Sequence, residues 1–176
     1  MSSNQIAFNG LKDKDFKLTH GGENSIGKRK VIRPFSSSKP IHLILRCSKN
    51  WGQRSLRSFS NSQMLRFYLI KFSRKFNVSL YQYSINSNHI HLLLRSKHKI
   101  LFQSFLRSLA GTIALKLKTK SEKNKFWAYL TFSRVMTWGR DFKTVVNYII
   151  QNQLEATGQI SYKPRSINRY PKELKI

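Results

Sequence analysis

The chain has 176 residues, of which 33 are Lys or Arg and 7 are Asp or Glu, giving a formal charge of +26. That length suits one domain with tails, and 40% hydrophobic residues, including 12 Phe, 7 Tyr and 3 Trp, are enough to build a core, which excludes wholesale disorder. A globular chain this basic repels itself unless it meets an anion, and nucleic acid or an anionic membrane is the usual partner.

No run reaches the roughly 20 apolar residues of a membrane span, so an integral membrane protein is not expected. Residues 1–10 lack the charged-then-apolar order of a secretory signal. A single cysteine, Cys47, excludes an internal disulfide framework and a cysteine zinc cluster, and a buried thiol is expected there. Cytoplasmic, nucleoid-associated residence follows as the expectation.

The seven carboxylates are Asp13, Asp15, Glu23, Glu122, Asp141, Glu155 and Glu173. A nuclease that holds two metal ions in a carboxylate cage needs several acids converging on one point. Only Glu122, Asp141 and Glu155 lie away from the terminal segments, and two of these fall on one helix. Chemistry of that kind is therefore not expected.

Residues 1–39 are polar, carry Gly21, Gly22 and Gly27, and include the basic run Lys28-Arg29-Lys30, which reads as a flexible arm, either tracking phosphates or merely solvating the chain. Residues 41–47 have strand character. After a polar stretch, Met64, Leu65, Tyr68, Leu69, Phe72 and Phe76 recur at three- and four-residue spacing, the pattern of an amphipathic helix. Residues 80–85 and 89–95 form two strands split by a turn at Asn86-Ser87-Asn88. Phe102, Phe105, Leu106, Leu109, Ile113 and Leu117 then mark a second helix. An aromatic patch from Phe126 to Leu130 leads to a strand over 133–138, and a third helix runs over 141–153.

This order predicts an α+β fold: a ferredoxin-like (RRM-like) antiparallel sheet with helices on one face and an added C-terminal helix. The domain is expected over 40–158, and 159–176 reads as a basic tail.

Two groups of residues carry candidate chemistry. In the strand Asn88-His89-Ile90-His91-Leu92-Leu93-Leu94-Arg95, alternation puts His89 and His91 on one face, roughly 6–7 Å apart, where two neutral imidazoles can share one metal ion. A bare His-x-His is short, and a pair of histidines on a solvated face is the commoner meaning. In the third helix, about 100° per residue places Phe142, Val145, Val146, Ile149 and Ile150 on the core side. Asp141, Thr144, Tyr148, Gln151, Asn152 and Glu155 fall opposite, with Asn152 one turn beyond Tyr148.

A tyrosine hydroxyl is a weak nucleophile unless its target is polarised. A metal held by His89 and His91 and completed by the amide oxygen of Asn152 would polarise a phosphodiester for attack by Tyr148. That scheme asks for few acids, which is what the chain offers.

The histidine pair, together with Asn147-Tyr148-Ile149-Ile150-Gln151-Asn152 downstream, resembles the HUH single-tyrosine transposases of bacterial insertion sequences and their REP-associated relatives, over residues 40–158. Those proteins commonly read Pro-Asn-His-x-His-Leu-Leu in the strand and Tyr-Ile-x-x-Asn-Pro in the helix. Here Ser87 and Gln153 stand where the two prolines usually fall, which suggests a divergent branch. The resemblance implies His89 and His91 as metal ligands, Tyr148 as nucleophile on the C-terminal helix and Asn152 as third ligand. It also implies Mg or Mn as the divalent ion, single-stranded DNA with hairpins as substrate, cleavage and rejoining through a 5′-phosphotyrosine, and often a homodimer.

Further candidates surround this core. His42 is expected beside the histidine pair, as a supporting group or a packing residue. Tyr129 is the rival nucleophile, in an apolar context that favours packing. Arg46, Arg95, Lys97, Arg134 and Arg140 are candidate DNA contacts, and Trp127 and Trp138 are expected mainly in the core, with base stacking as the other option. Two readings from other classes stand beside the enzyme: a non-catalytic (domesticated) nucleic-acid-binding module of the same fold, and an RNA-binding protein of ribosomal type. The second would need exposed aromatics where the sheet presents histidines.

Overall fold

The computed structural model describes residues 18–29, 31–48, 55–118 and 125–163. They form a five-stranded sheet of β1 (Thr19–His20), β2 (Ile41–Arg46), β3 (Val78–Ile85), β4 (His89–Ser96) and β5 (Phe132–Val135), in the order β1-β5-β2-β4-β3 with every pairing antiparallel. The helices are α1 (Phe59–Lys75), α2 (Lys99–Leu117) and α3 (Arg140–Thr157). The α+β architecture with a C-terminal helix is therefore observed, and from β2 onward the elements follow the chain order expected.

Strand alternation divides the sheet into two faces. Ile41, Leu43 and Leu45 of β2 and Ile90, Leu92 and Leu94 of β4 point to one side, where they bury with Leu65, Leu69 and Phe72 of α1 and Phe102, Phe105, Leu109 and Ile113 of α2. Full burial of each such side chain contributes about 1.5–3 kcal/mol, so this side holds most of the apolar stabilisation. By length and mean hydropathy α2 could cross a membrane, a feature the sequence reading missed; here its Phe102, Phe105, Leu109 and Ile113 edge lies in the core.

The opposite face is covered by α3, whose Val145, Tyr148 and Ile149 pack with Leu93 and Met136. A Schellman-type end closes the helix: Gly158 takes φ 75°, Gly158 N–H donates to the Glu155 carbonyl at 3.2 Å and Gln159 N–H to that of Leu154 at 3.0 Å. The helix thus runs four residues past the expected end, to the first residue able to adopt that turn easily.

Within the segment read as an arm, Thr19–His20 pairs with β5 as an edge strand. The same segment is tied down by the Arg33 guanidinium, which donates to Ser133 Oγ at 2.6 Å, and by His20 Nε2 against the Val31 carbonyl at 3.1 Å. Gly21, at φ +78°, lies so close to the Thr131 carbonyl that any Cβ would collide with it. Local apolar periodicity cannot reveal a two-residue strand, which is why this one was not expected. Lys28 and Arg29 are exposed, and Lys30, residues 1–17 and residues 164–176 lie outside the described residues.

Candidate active site

His42, His89 and His91 meet on the face beneath α3. Register sets this: Ile44 stands opposite His91, Arg46 opposite His89 and His42 opposite Leu93, so all share one side of the sheet. His42 Nε2 lies 3.1 Å from His91 Nδ1 with the rings stacked at 5.3 Å, and the His89 and His91 rings meet edge to face at 4.8 Å. The three imidazoles are buried. Burial pushes the His42 pKa down to about 3, with the Arg134 charge acting the same way, so His42 is neutral.

The helix meets them with its chemical face. Tyr148 is 3% exposed and its ring stands edge-on to His91 at 5.3 Å. Asn152, one turn on, is also buried, and its Nδ2 donates to the Tyr148 carbonyl at 2.7 Å. This corrects the helical wheel: Val145, Tyr148, Ile149 and Asn152 face inward, while Ile150 is 38% exposed. The wheel ranked faces by hydrophobicity, whereas this helix packs on the histidine-bearing side of the sheet, where a tyrosine and an asparagine find polar neighbours.

The turn before β4 supplies residues that the sequence reading treated as a hairpin alone. Asn88 Oδ1 lies 2.7 Å from His89 Nδ1, and Asn86 Nδ2 lies 3.0 Å from His89 Nε2. An amide oxygen only accepts and an amide nitrogen only donates. Both contacts therefore select one tautomer, with the proton on Nδ1 and the lone pair on Nε2. The available signal was an asparagine on each side of a turn that abuts a strand histidine.

The other candidates spread outward. Arg46 is half-buried beside His89 in register, Arg95 is half-buried on the same face of β4, and Lys97 is exposed beyond the strand end. Arg140 is exposed at the start of α3. Tyr129 is half-buried in the segment before β5, outside the ring contacts described for the histidine cluster. Trp127 packs on the main core with Nε1 donating to the Ala110 carbonyl at 3.0 Å, as expected. Trp138 is 47% exposed, which overturns its assignment to the core: β5 ends at Val135 and the indole lies beyond it.

Arg134 reaches Asp141 in the first turn of α3, with Nη2 donating to Oδ1 at 3.0 Å, while Thr137 N–H donates to Oδ2 at 3.3 Å. One carboxylate thus fixes the start of the tyrosine helix to β5, at the helix end where negative charge is favourable. Asp141→Ala is expected to cost about 1–2 kcal/mol of stability, read as a lower urea midpoint at unchanged slope.

A strand histidine pair covered by a helix that offers tyrosine and asparagine one turn apart is the arrangement expected of the HUH single-tyrosine transposases. The family described as IS200-like transposases matches residues 37–153, and the chain belongs to it. Among solved structures, a REP-associated tyrosine transposase bound to a REP hairpin is similar in fold, at TM-score 0.59 and 17% identity over 76% of each chain. A Deinococcus radiodurans R1 transposase candidate gives TM-score 0.44 and 18% identity over 71% of this chain and 98% of the other. No curated protein matches the chain significantly.

Proposed function

We propose that the protein is a single-stranded DNA endonuclease and strand transferase that cleaves and rejoins hairpin-containing sites through a phosphotyrosine at Tyr148. The observation that carries this reading is the meeting of residues from β4 and α3, with the Tyr148 ring 5.3 Å from that of His91. The strand order supports a ferredoxin-like sheet of β2–β5 extended by β1, and the REP hairpin held by the similar transposase supports a hairpin substrate.

The residues fit a hard divalent ion, Mg or Mn. His89 Nε2 carries a lone pair that now accepts from Asn86 Nδ2 and would be given up by that amide to a metal, His91 stands beside it, and the Asn152 amide oxygen is the end not tied to the helix. Among the described residues no group of three or more His, Cys, Asp or Glu is disposed to hold a metal. Two imidazoles and an amide would leave the remaining coordination to water and phosphate oxygens, which suits such an ion. When bound, the ion neutralises phosphate charge.

The chain's own residues do the rest. Tyr148 oxygen bonds to phosphorus as the bond from phosphorus to the 3′ oxygen breaks. The DNA 5′ end is then held on tyrosine, and the phenolic proton is balanced by protonation of the leaving 3′ oxygen. The bond energy is conserved, so a 3′ hydroxyl can reverse the step without ATP. Arg46 and Arg95, on the histidine face, are placed to hold flanking phosphates. With Tyr148 3% exposed, a phosphodiester reaches it when α3 shifts from the sheet.

That burial is also what favours the second reading, a domesticated module that binds nucleic acid without cutting it. The deciding experiment incubates labelled single-stranded hairpins from the flanks of the gene with the protein and Mn or Mg. A covalent protein–DNA band on denaturing gels, absent with EDTA, is expected; tight binding without a band would favour the module.

A further inference from the structure

Away from the histidines, three aromatic side chains form one partly exposed cluster, in which Phe142 is half-buried against the α3 core. Tyr81 and Trp138 meet at 5.7 Å, Tyr81 and Phe142 at 5.5 Å, and Trp138 and Phe142 at 5.0 Å between ring centroids. Core aromatics in contact lose nearly all their exposure, yet Tyr81 keeps 38% and Trp138 47%.

The cluster is held in place by polar and backbone features. The β3–β4 register shifts between Leu80 and Gln82, leaving Tyr81 as the extra residue of a bulge, the feature that bends a strand and re-aims a side chain. Trp138 Nε1 donates to the Ser38 carbonyl at 2.8 Å. With its N–H spent, the indole is fixed in orientation and offers outward only its apolar ring surface.

Charge selects the occupant. Arg140 and Lys143, both exposed, flank Phe142 in the first turn of α3, and the acid of that turn, Asp141, is engaged by Arg134. A second copy of a +26 chain would be repelled here. A ligand with flat aromatic faces on an anionic backbone would be attracted, and unpaired bases expose such faces where a duplex hides them.

We propose that Tyr81, Trp138 and Phe142 form a stacking platform for an unpaired base of single-stranded DNA, with Arg140 and Lys143 on the adjacent phosphates. The proposal rests on the single-stranded DNA reading above and adds a base subsite to it. Phe142 precedes Tyr148 by six residues, about 9 Å along the helix, so the platform grips the strand close to the scissile phosphate.

The test measures binding of a thymidine oligonucleotide of about 12 nucleotides and of an abasic strand with the same backbone, by fluorescence anisotropy. The wild-type chain is expected to prefer the base-bearing strand. Trp138→Leu should weaken that binding about 5- to 100-fold, hardly change binding to the abasic strand, and leave the salt slope unaltered because no phosphate contact is lost. Trp138→Phe should retain most of the preference, and Phe142→Leu provides a second variant if Trp138→Leu folds poorly. Equal losses on both strands, or none, overturn the platform. So does a changed sedimentation coefficient with unchanged base preference, which would make the cluster a contact between copies. Wild-type binding with no preference for bases removes the platform alone, whereas no binding to either strand removes the single-stranded DNA reading with it.

Discussion

Tyr148→Phe is expected to lower covalent attachment to single-stranded hairpin DNA by more than about 10³-fold while leaving affinity for that DNA close to wild type. The substitution removes one oxygen and keeps the ring that packs with Leu93, Val145 and Ile149 and stands edge-on to His91. A change in stability within about 1 kcal/mol follows, so lost cleavage cannot be charged to unfolding, and a melting curve checks this. Tyr129→Phe is the companion control. It removes the rival hydroxyl and should leave the adduct intact. An adduct that survives in Tyr148→Phe and maps by peptide sequencing to Tyr129 would defeat the proposed mechanism.

How much of this was legible beforehand depends on the kind of signal each residue sends. Period-two alternation around His89 and His91 put the pair on one face, and period 3.6 located all three helices, because burial of one face imposes those periods wherever a sheet or helix meets a core. The side of α3 that faces inward was misjudged. A hydrophobic wheel assumes that the covered surface is apolar, but α3 packs against His91, so the inward face is a mixture. Asn86 and Asn88 were treated as turn formers, which they are: Asn86 N–H donates to the His89 carbonyl at 2.9 Å. Their second task, selecting the His89 tautomer, depends on side-chain distances that turn propensity does not encode. Tyr81 was hidden for a similar reason. A bulge shifts strand phase by one residue, and only pairing with β4 reveals where.

His91→Ala is expected to remove metal-dependent cleavage, about 10³-fold or more, with any residue of activity indifferent to EDTA. His42→Phe should give a smaller and more diagnostic result. For His91 to offer its Nε2 lone pair, its Nδ1 must carry the proton and donate it, and the partner at 3.1 Å is His42 Nε2. His42 can accept because it is neutral: burial, reinforced by Arg134, holds its pKa down to about 3, well below the working range of pH. Phenylalanine keeps a ring stacked on His91 and removes the acceptor, so apparent Mn affinity should fall about 10- to 100-fold. Stability should fall by at most about 1–3 kcal/mol, because the buried His91 Nδ1 proton loses its acceptor, while deletion of His42 Nδ1, which has no hydrogen-bond partner among the described residues, offsets part of that loss. The readouts are Mn binding followed by electron paramagnetic resonance and the nitrogen chemical shifts of His91 in the metal-free protein, which report its tautomer directly. His42→Gln, which restores an acceptor of similar reach, should recover part of the affinity. Wild-type Mn affinity in His42→Phe, with the His91 tautomer unchanged, would reduce His42 to packing and leave the Nδ1 proton of His91 to be fixed by other neighbours.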